Sequence, residues 1–229
     1  MSDLSLVLLA VMVLGASGIP ALFARGGNRW GQWLTTVLLI VGSILGLAVS
    51  VHALATARTE SLAIAWGLPM GQLLLGLDGL SAAFLLPVFL VPALGAIYGL
   101  GYWVAEEHPE NSRQLGLFYG MLAAGMALVL LSRDAVLFLI AWEVMALAAF
   151  FVATTQDDDQ AACQAGWVYL IATHLGTLCL MAMFALLHHA TGSWTLTPVA
   201  ALAPQMASLL FVLGLVGFGV KAGLMPVHV

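Results

Sequence analysis

Charged side chains are scarce in this chain. Of its 229 residues, 7% are Asp, Glu, Lys or Arg, while 62% are hydrophobic. A soluble domain of this length would need far more charge to cover its surface. The mean hydropathy of +1.07 instead fits a polytopic membrane protein with the lipid bilayer as its solvent. No basic patch is present, so a nucleic-acid partner is not expected.

Cysteine and cofactor-binding motifs are scarce as well. The two cysteines, Cys163 and Cys179, form no CxxC pair, which argues against disulfides and iron–sulfur clusters. There is no Walker loop and no GxGxxG motif before a helix. Haem ligation would need facing histidines for His174 and His188, and only His52 is available. We therefore expect no cofactor, no metal and no catalytic site, so a redox assembly would use this chain to carry ions, not electrons.

Long hydrophobic runs are what the chain has instead. A spanning helix needs about 20 mainly apolar residues. We predict an all-α fold, a polytopic transmembrane helix bundle of about seven spans whose last helix is broken near Lys221. Short loops should make successive helices antiparallel neighbours. The predicted spans run approximately over residues 4–24, 33–57, 79–104, 114–132, 134–154, 163–188 and 205–229.

The spans suggest three segments. Residues 1–58 form a two-helix transmembrane segment, and residues 79–229 form a larger helical domain that Asp78 opens as an N-cap. Between them, residues 59–78 contain three glycines and a proline, so a continuous span is not expected and an interfacial hairpin or loop is predicted.

The few arginines predict an orientation. Arg25, Arg29 and Arg113 fall on one side of the predicted bundle, and Arg58 and Arg133 fall on the other. Because positive residues favour cytoplasmic loops, the N-terminus is predicted outside. The first apolar run lacks the positive region of a cleaved signal peptide, so it is read as a retained helix in the cell inner (plasma) membrane.

Two opposite charges lie inside apolar runs: Glu143 in FLIAWEVMALAAFF and Lys221 in GLVGFGVKAGLMPVHV. An ionised group in hydrocarbon costs roughly 2.5–3.5 kcal/mol on insertion scales, so such groups usually face the bundle interior and mark ion pathways. Glu143 is interpreted as a protonatable relay group, or else as a fixed carboxylate that joins two helices. Lys221 is interpreted as a proton-carrying amine, or as a static partner of Glu143 within glycine-mediated helix packing.

Two histidines complete the candidate site. His174 lies near the middle of the sixth predicted span. Its imidazole could bridge a proton relay, or it could be satisfied by a helix carbonyl or a threonine. His228 follows Pro226 in the last segment and could line the same path as Lys221. His108, His188 and His189 are expected to be solvated.

Four motifs taken together, LDGLS, FLIAWEVMALAAFF, AGWVYLIATHLGT and VGFGVKAGLMPVHV, resemble the antiporter-like membrane subunits of respiratory complex I and of multisubunit cation/proton antiporters. The subgroup of hydrogenase-4 and formate hydrogenlyase complexes is the most similar. The resemblance implies that Glu143 and Lys221 form a coupled pair, that His174 matches a histidine of that subgroup, and that His228 lies beyond a helix break. It also implies two inverted repeats, so residues 79–229 would be the first part of a longer domain, truncated in the seventh helix.

The expected function is translocation of protons or sodium ions within a redox-driven complex, NADH:quinone oxidoreductase-like or hydrogenase-type, together with other membrane subunits. Two alternatives remain open at the level of sequence. The chain could serve a cation/proton antiporter without redox partners, or it could be a structural membrane subunit whose charge pair only holds helices together.

Overall fold

The computed structural model describes residues 2–23, 29–67, 70, 72–199 and 202–224. The chain folds as a bundle in which seven helical segments are long and apolar enough to cross a membrane, which confirms the predicted architecture. The helices are α1 Asp3–Ala16, α2 Ile19–Leu22, α3 Arg29–Thr56, α4 Gly79–Tyr102, α5 Ser112–Leu131, α6 Ala135–Ala153, α7 Gln160–Thr191 and α8 Pro204–Ala222. The strands are β1 Glu60–Ile64 and β2 Leu73–Leu77.

The first span consists of α1 and α2 with a break between them. The break falls at Ser17 and Gly18, just before Pro20 in the first turn of α2. A Cβ atom at Gly18 would overlap the backbone of Leu117 in α5. Only glycine allows α5 to approach the break this closely, so this position fixes how the first span packs against the fourth.

Side-chain caps define the starts of three helices. Asp78, Asp134 and Asp159 each accept hydrogen bonds from backbone N–H groups in the first turn of α4, α6 and α7. Such caps satisfy donors that a helix start leaves without partners. The cap at Asp78 was predicted from LDGLS. Asp159, the last residue of the acidic run 157–159, has the same structural role at the start of α7.

The segment between the second and third spans is an antiparallel hairpin, with Glu60 opposite Leu77. The Glu60 carboxylate accepts hydrogen bonds from the backbone N–H groups of Asp3 and Leu4, the latter at 2.7 Å. Strand β2 also bridges from Leu75 to Ser132, next to the start of α6. The hairpin therefore joins α1 to the α5–α6 connection at one end of the bundle.

The apolar interior has two parts. The larger core lies among α1, α3, α4, α5 and the hairpin, and the fully buried Phe89 is its largest side chain. The smaller core lies between α6 and α7 and is centred on Trp142, Leu180 and Phe184. The candidate site belongs to this second part.

The seventh span ends earlier in the described structure than its predicted range. Helix α8 ends at Ala222, and Gly223 has a left-handed backbone with φ of 69°. Residues 225–229, which include Pro226 and His228, lie outside the described residues. Lys221 thus stands in the last turn of α8.

Candidate functional site

Glu143 lies midway along α6, at the face that packs against α7. Its Oε2 atom is 3.4 Å from Nε2 of His174, and the two side chains are 29% and 46% exposed. Its other oxygen, Oε1, is buried and has no hydrogen-bond partner among the described residues. A buried carboxylate oxygen without a partner is unfavourable, so this half of the carboxylate can still accept a proton or a donor.

The second ring nitrogen of His174 anchors the imidazole to its own helix. Nδ1 lies 2.9 Å from the backbone carbonyl of Leu170, one turn earlier in α7. A carbonyl only accepts, so the hydrogen of this contact is on Nδ1. This contact orients the ring so that Nε2 faces the Glu143 carboxylate.

Lys221 reaches the same region from α8. Its Nζ atom donates a 2.6 Å hydrogen bond to the Tyr169 hydroxyl oxygen. The ammonium also lies 5.0 Å from the ring centre of Tyr169 and 5.8 Å from that of Trp142. Aromatic faces at this distance attract a cation and exclude water. Lys221 is therefore held by the Tyr169 hydroxyl, with the rings of Tyr169 and Trp142 beside its ammonium group.

Small residues let α8 come close enough to place Lys221 there. A Cβ atom at Gly217 would lie 2.6 Å from Leu180 and 3.0 Å from the carbonyl oxygen of Gly176. The glycine packing considered from the sequence is thus present at Gly217, one helical turn before Lys221. The ring of Phe218, 5.6 Å from Trp142 in an edge-to-face arrangement, adds to the contact between α8 and α6.

The predicted residues are brought together only in part. Glu143, His174 and Lys221 come from three consecutive spans and meet through neighbouring contacts. Among the described residues, however, the carboxylate within 4 Å of His174 is Glu143, and no carboxylate lies within 4 Å of Lys221. Direct pairing of Glu143 with Lys221 stays a prediction. His228 lies outside the described residues.

Tyr169 was missed by sequence reasoning. It stands in WVYLIATH, five residues before His174, within a run read only as hydrophobic. A tyrosine in the interior of a span needs a partner for its hydroxyl, and that requirement was the available signal.

His188 also differs from expectation. Its ring stacks on Trp194 with centres 4.1 Å apart, and its Nδ1 atom is buried. The expectation that His188 is solvated is therefore wrong, whereas His189 is exposed. Within the described ranges, no group of three or more His, Cys, Asp or Glu side chains is placed to hold a metal ion.

These features define a class of protein: a multi-pass helical membrane protein whose titratable groups from three consecutive spans lie where α6, α7 and α8 contact one another. Residues 132–229 match the family model described as NADH:quinone oxidoreductase/Mrp antiporter, transmembrane. Over these residues the chain is similar to this family of antiporter-like membrane proteins, which is the resemblance that its motifs predicted.

Similar proteins agree with this assignment. The chain is 27% identical over 230 residues to hydrogenase-4 component B of Escherichia coli (strain K12), covering 100% of this chain and 34% of that protein. A chain of the archaeal membrane-bound sulfane sulfur reductase superposes with a TM-score of 0.74 at 25% identity, covering 99% of this chain and 35% of that one. The chain thus spans about a third of the length of these relatives.

A chain of respiratory complex I from Thermus thermophilus, solved with bound aureothin, superposes with a TM-score of 0.70 at 24% identity. It covers 96% of this chain and 45% of that one. At this identity the likeness shows the fold. Both structural neighbours are chains of respiratory membrane complexes.

Proposed function

We propose that this chain is an ion-translocating membrane subunit that moves protons, or sodium ions, as part of a redox-driven complex of the NADH:quinone oxidoreductase or membrane-bound hydrogenase type. The observation that supports it most is that Glu143 and His174 pair between two spans while Lys221 of the next span lies beside α7, bonded to Tyr169. Ionisable groups kept within spans at such cost are typical of ion pathways. The names of the relatives, among them a hydrogenase component, favour a redox partner.

The proposed mechanism is electrostatic coupling between Glu143 and Lys221. When the carboxylate approaches, the ammonium is stabilised and holds its proton; when they separate, the proton can move on. Two unit charges 4 Å apart interact by about 4 kcal/mol at an effective dielectric constant of 20, which is roughly a thousandfold in proton affinity. His174, whose Nε2 lies 3.4 Å from the carboxylate, gives Glu143 a second partner when it separates from Lys221.

The chain would work beside other membrane subunits in the cell inner membrane, without a cofactor or catalytic site of its own. The arginine distribution supports an N-terminus on the outer side. In that orientation Arg29, paired with Glu106 at 3.2 Å, lies on the cytoplasmic side. Arg133, paired with Asp78 at 2.8 Å, lies outside with the hairpin.

An antiporter subunit without redox partners is the second candidate, because the matching family description includes Mrp antiporters. The same groups would then exchange protons for cations. In the third candidate, a structural subunit, the charges of Glu143 and Lys221 serve only the packing of α6, α7 and α8.

The test compares Glu143→Gln and Lys221→Ala with wild type in inverted membrane vesicles from cells that express the chain in its native assembly. Proton uptake is followed with a pH-sensitive dye after addition of NADH, formate or hydrogen in separate samples. We expect each variant to lose most of the uptake that depends on the chain while assembly, measured by copurification, stays intact. Full uptake with intact assembly in both variants would contradict ion translocation through these residues.

Two further results separate the candidates. Collapse of a pre-formed pH gradient by added sodium, without any redox substrate, would favour the antiporter. Loss of copurifying subunits in Glu143→Gln, with normal uptake per assembled complex, would favour the structural subunit.

A further inference from the structure

Among the described residues, the hydrogen-bond acceptor of Lys221 is Tyr169 and not Glu143. The Lys221 ammonium donates to Tyr169 at 2.6 Å, whereas Glu143 pairs with His174. A charged donor makes a stronger hydrogen bond than a neutral one. The phenol oxygen thus competes directly with the carboxylate for the ammonium.

Glu143 has one carboxylate oxygen, Oε1, that is available to accept a hydrogen bond from Lys221. Its Oε1 atom is buried and without a partner among the described residues, so it gains most from any approaching cation. The titratable or charged groups that face Lys221 in the described structure are Glu143 from α6, Tyr169 from α7, and His174 from α7 through its contact with Glu143. The position of Lys221 therefore depends on the balance between one phenol and one carboxylate.

We propose that Tyr169 is a positioning residue that holds Lys221 in the separated state and so sets how readily Lys221 pairs with Glu143. This inference rests on the proposed function for its consequence in transport, but its geometry is independent of any transported ion. The Trp142 ring lies 5.8 Å from the ammonium and helps to keep it beside Tyr169. The Tyr169 hydroxyl is then the group that competes with Glu143 for Lys221.

Lys221 is the only lysine of the chain, so its amine can be followed directly. The native assembly is labelled across a pH series with a membrane-permeant amine reagent, and mass spectrometry quantifies the peptide that contains Lys221. Tyr169→Phe keeps the ring and removes the acceptor oxygen. If Tyr169 holds Lys221 apart, the amine moves to Glu143, and the midpoint of labelling shifts to higher pH by about half a unit to one unit.

A shift of the labelling midpoint to lower pH in Tyr169→Phe would contradict the proposal. If the hydroxyl only stabilises the ammonium where it stands, its removal lowers the midpoint, and the proposal is wrong; an unchanged midpoint also contradicts it. In Glu143→Gln/Tyr169→Phe the upward shift must disappear, because the competing carboxylate is gone. Tyr119→Phe is the matched control, since Tyr119 donates only to the Pro92 carbonyl at 3.3 Å in a different part of the bundle.

Transport is measured on the same variants as a second readout. We expect Tyr169→Phe to slow proton uptake several-fold and to move its pH profile to the alkaline side, with Tyr119→Phe unchanged. The labelling shift needs no transport, so its absence defeats the role of Tyr169 alone. Loss of the proposed function would instead appear as normal uptake in Glu143→Gln and Lys221→Ala.

Discussion

The first five helices and the last three differ in where they place charge. In the first region, charged side chains stand at helix ends with partners: Glu60 caps α1, and Asp78 caps α4 while it binds Arg133. In the last region, Asp134 and Asp159 likewise cap helices, but Glu143 lies in the middle of α6, and one of its oxygens is buried with no hydrogen-bond partner among the described residues. Carboxylates thus stabilise helix starts in both regions, and the last region adds one that remains incompletely satisfied inside a span.

This difference separates stability from function within one bundle. The large core around Phe89 and the satisfied caps make the first region a scaffold. The core between α6 and α7 is smaller, and Glu143 and Lys221 lie inside the spans that border it. We therefore expect substitutions in the scaffold to change the free energy of unfolding, and substitutions at the site to change transport.

The largest expected loss is that of Phe89→Ala. Phe89 is fully buried and contacts the glycine surface at Gly46 of α3, so truncation leaves a cavity and costs about 3–5 kcal/mol. Phe218→Ala is the matched control in the last region. Phe218 is 40% exposed, and its loss should cost about 1 kcal/mol. Unfolding by denaturing detergent in mixed micelles measures both; equal losses would contradict the division into two regions.

Gly18→Ala should have the next largest effect. The new methyl group would overlap the backbone of Leu117, which cannot move aside as a flexible side chain could, and the cost should be about 1–3 kcal/mol. Gly101→Ala is the control, because no atom lies within 4 Å of a Cβ there. In that exposed helical position alanine should stabilise by up to about 1 kcal/mol. A neutral result for Gly18→Ala would mean that α5 does not approach the break so closely.

Much of this fold is predictable from the sequence because membrane spans depend on length and hydropathy alone. The Asp78 cap is predictable because it is local. The partner of Lys221 is not, because it depends on how far α8 turns against α7, which Gly176 and Gly217 decide through a contact distant in sequence. The pairing of Arg133 with Asp78 rather than with its neighbour Asp134 is likewise a tertiary result.

Asp134→Ala tests the scaffold at the start of the site helix. The buried Asp134 side chain caps α6 and also accepts the backbone N–H of Gln72 at 3.2 Å. Its loss should cost about 1–2 kcal/mol in the same unfolding assay. Asp134→Asn keeps an acceptor oxygen and should recover most of that loss. If the asparagine variant is as unstable as the alanine variant, a charge rather than the cap is what matters there.

The pair of Asp78 with Arg133 should give a small dependence of stability on pH. The Ser81 backbone N–H, helped by the Arg133 guanidinium, holds the pKa of Asp78 below its ordinary value, while burial opposes them. A lowered pKa adds stability above the unfolded value near 3.9, and that stability is lost as the pH falls through the folded pKa. Because the side chain is 40% exposed, the effect should stay below about 1 kcal/mol. Asp78→Asn should flatten the unfolding profile between about pH 5 and 3; an unchanged slope would assign the pH dependence to other carboxyl groups.

Glu143→Gln should have the smallest effect on the free energy of unfolding. It also tests most directly whether the site region serves transport and not stability. The amide keeps the shape of the carboxylate and removes its desolvation cost, and because His174 is 46% exposed, the change leaves no fully buried charge without its partner. The amide also offers a donor and an acceptor to His174. We expect a change within about 0.5 kcal/mol, measured beside Phe89→Ala in the same assay. A loss as large as that of Asp134→Ala would make Glu143 part of the scaffold, whereas an unchanged stability together with lost proton uptake would assign its retention inside α6 to transport.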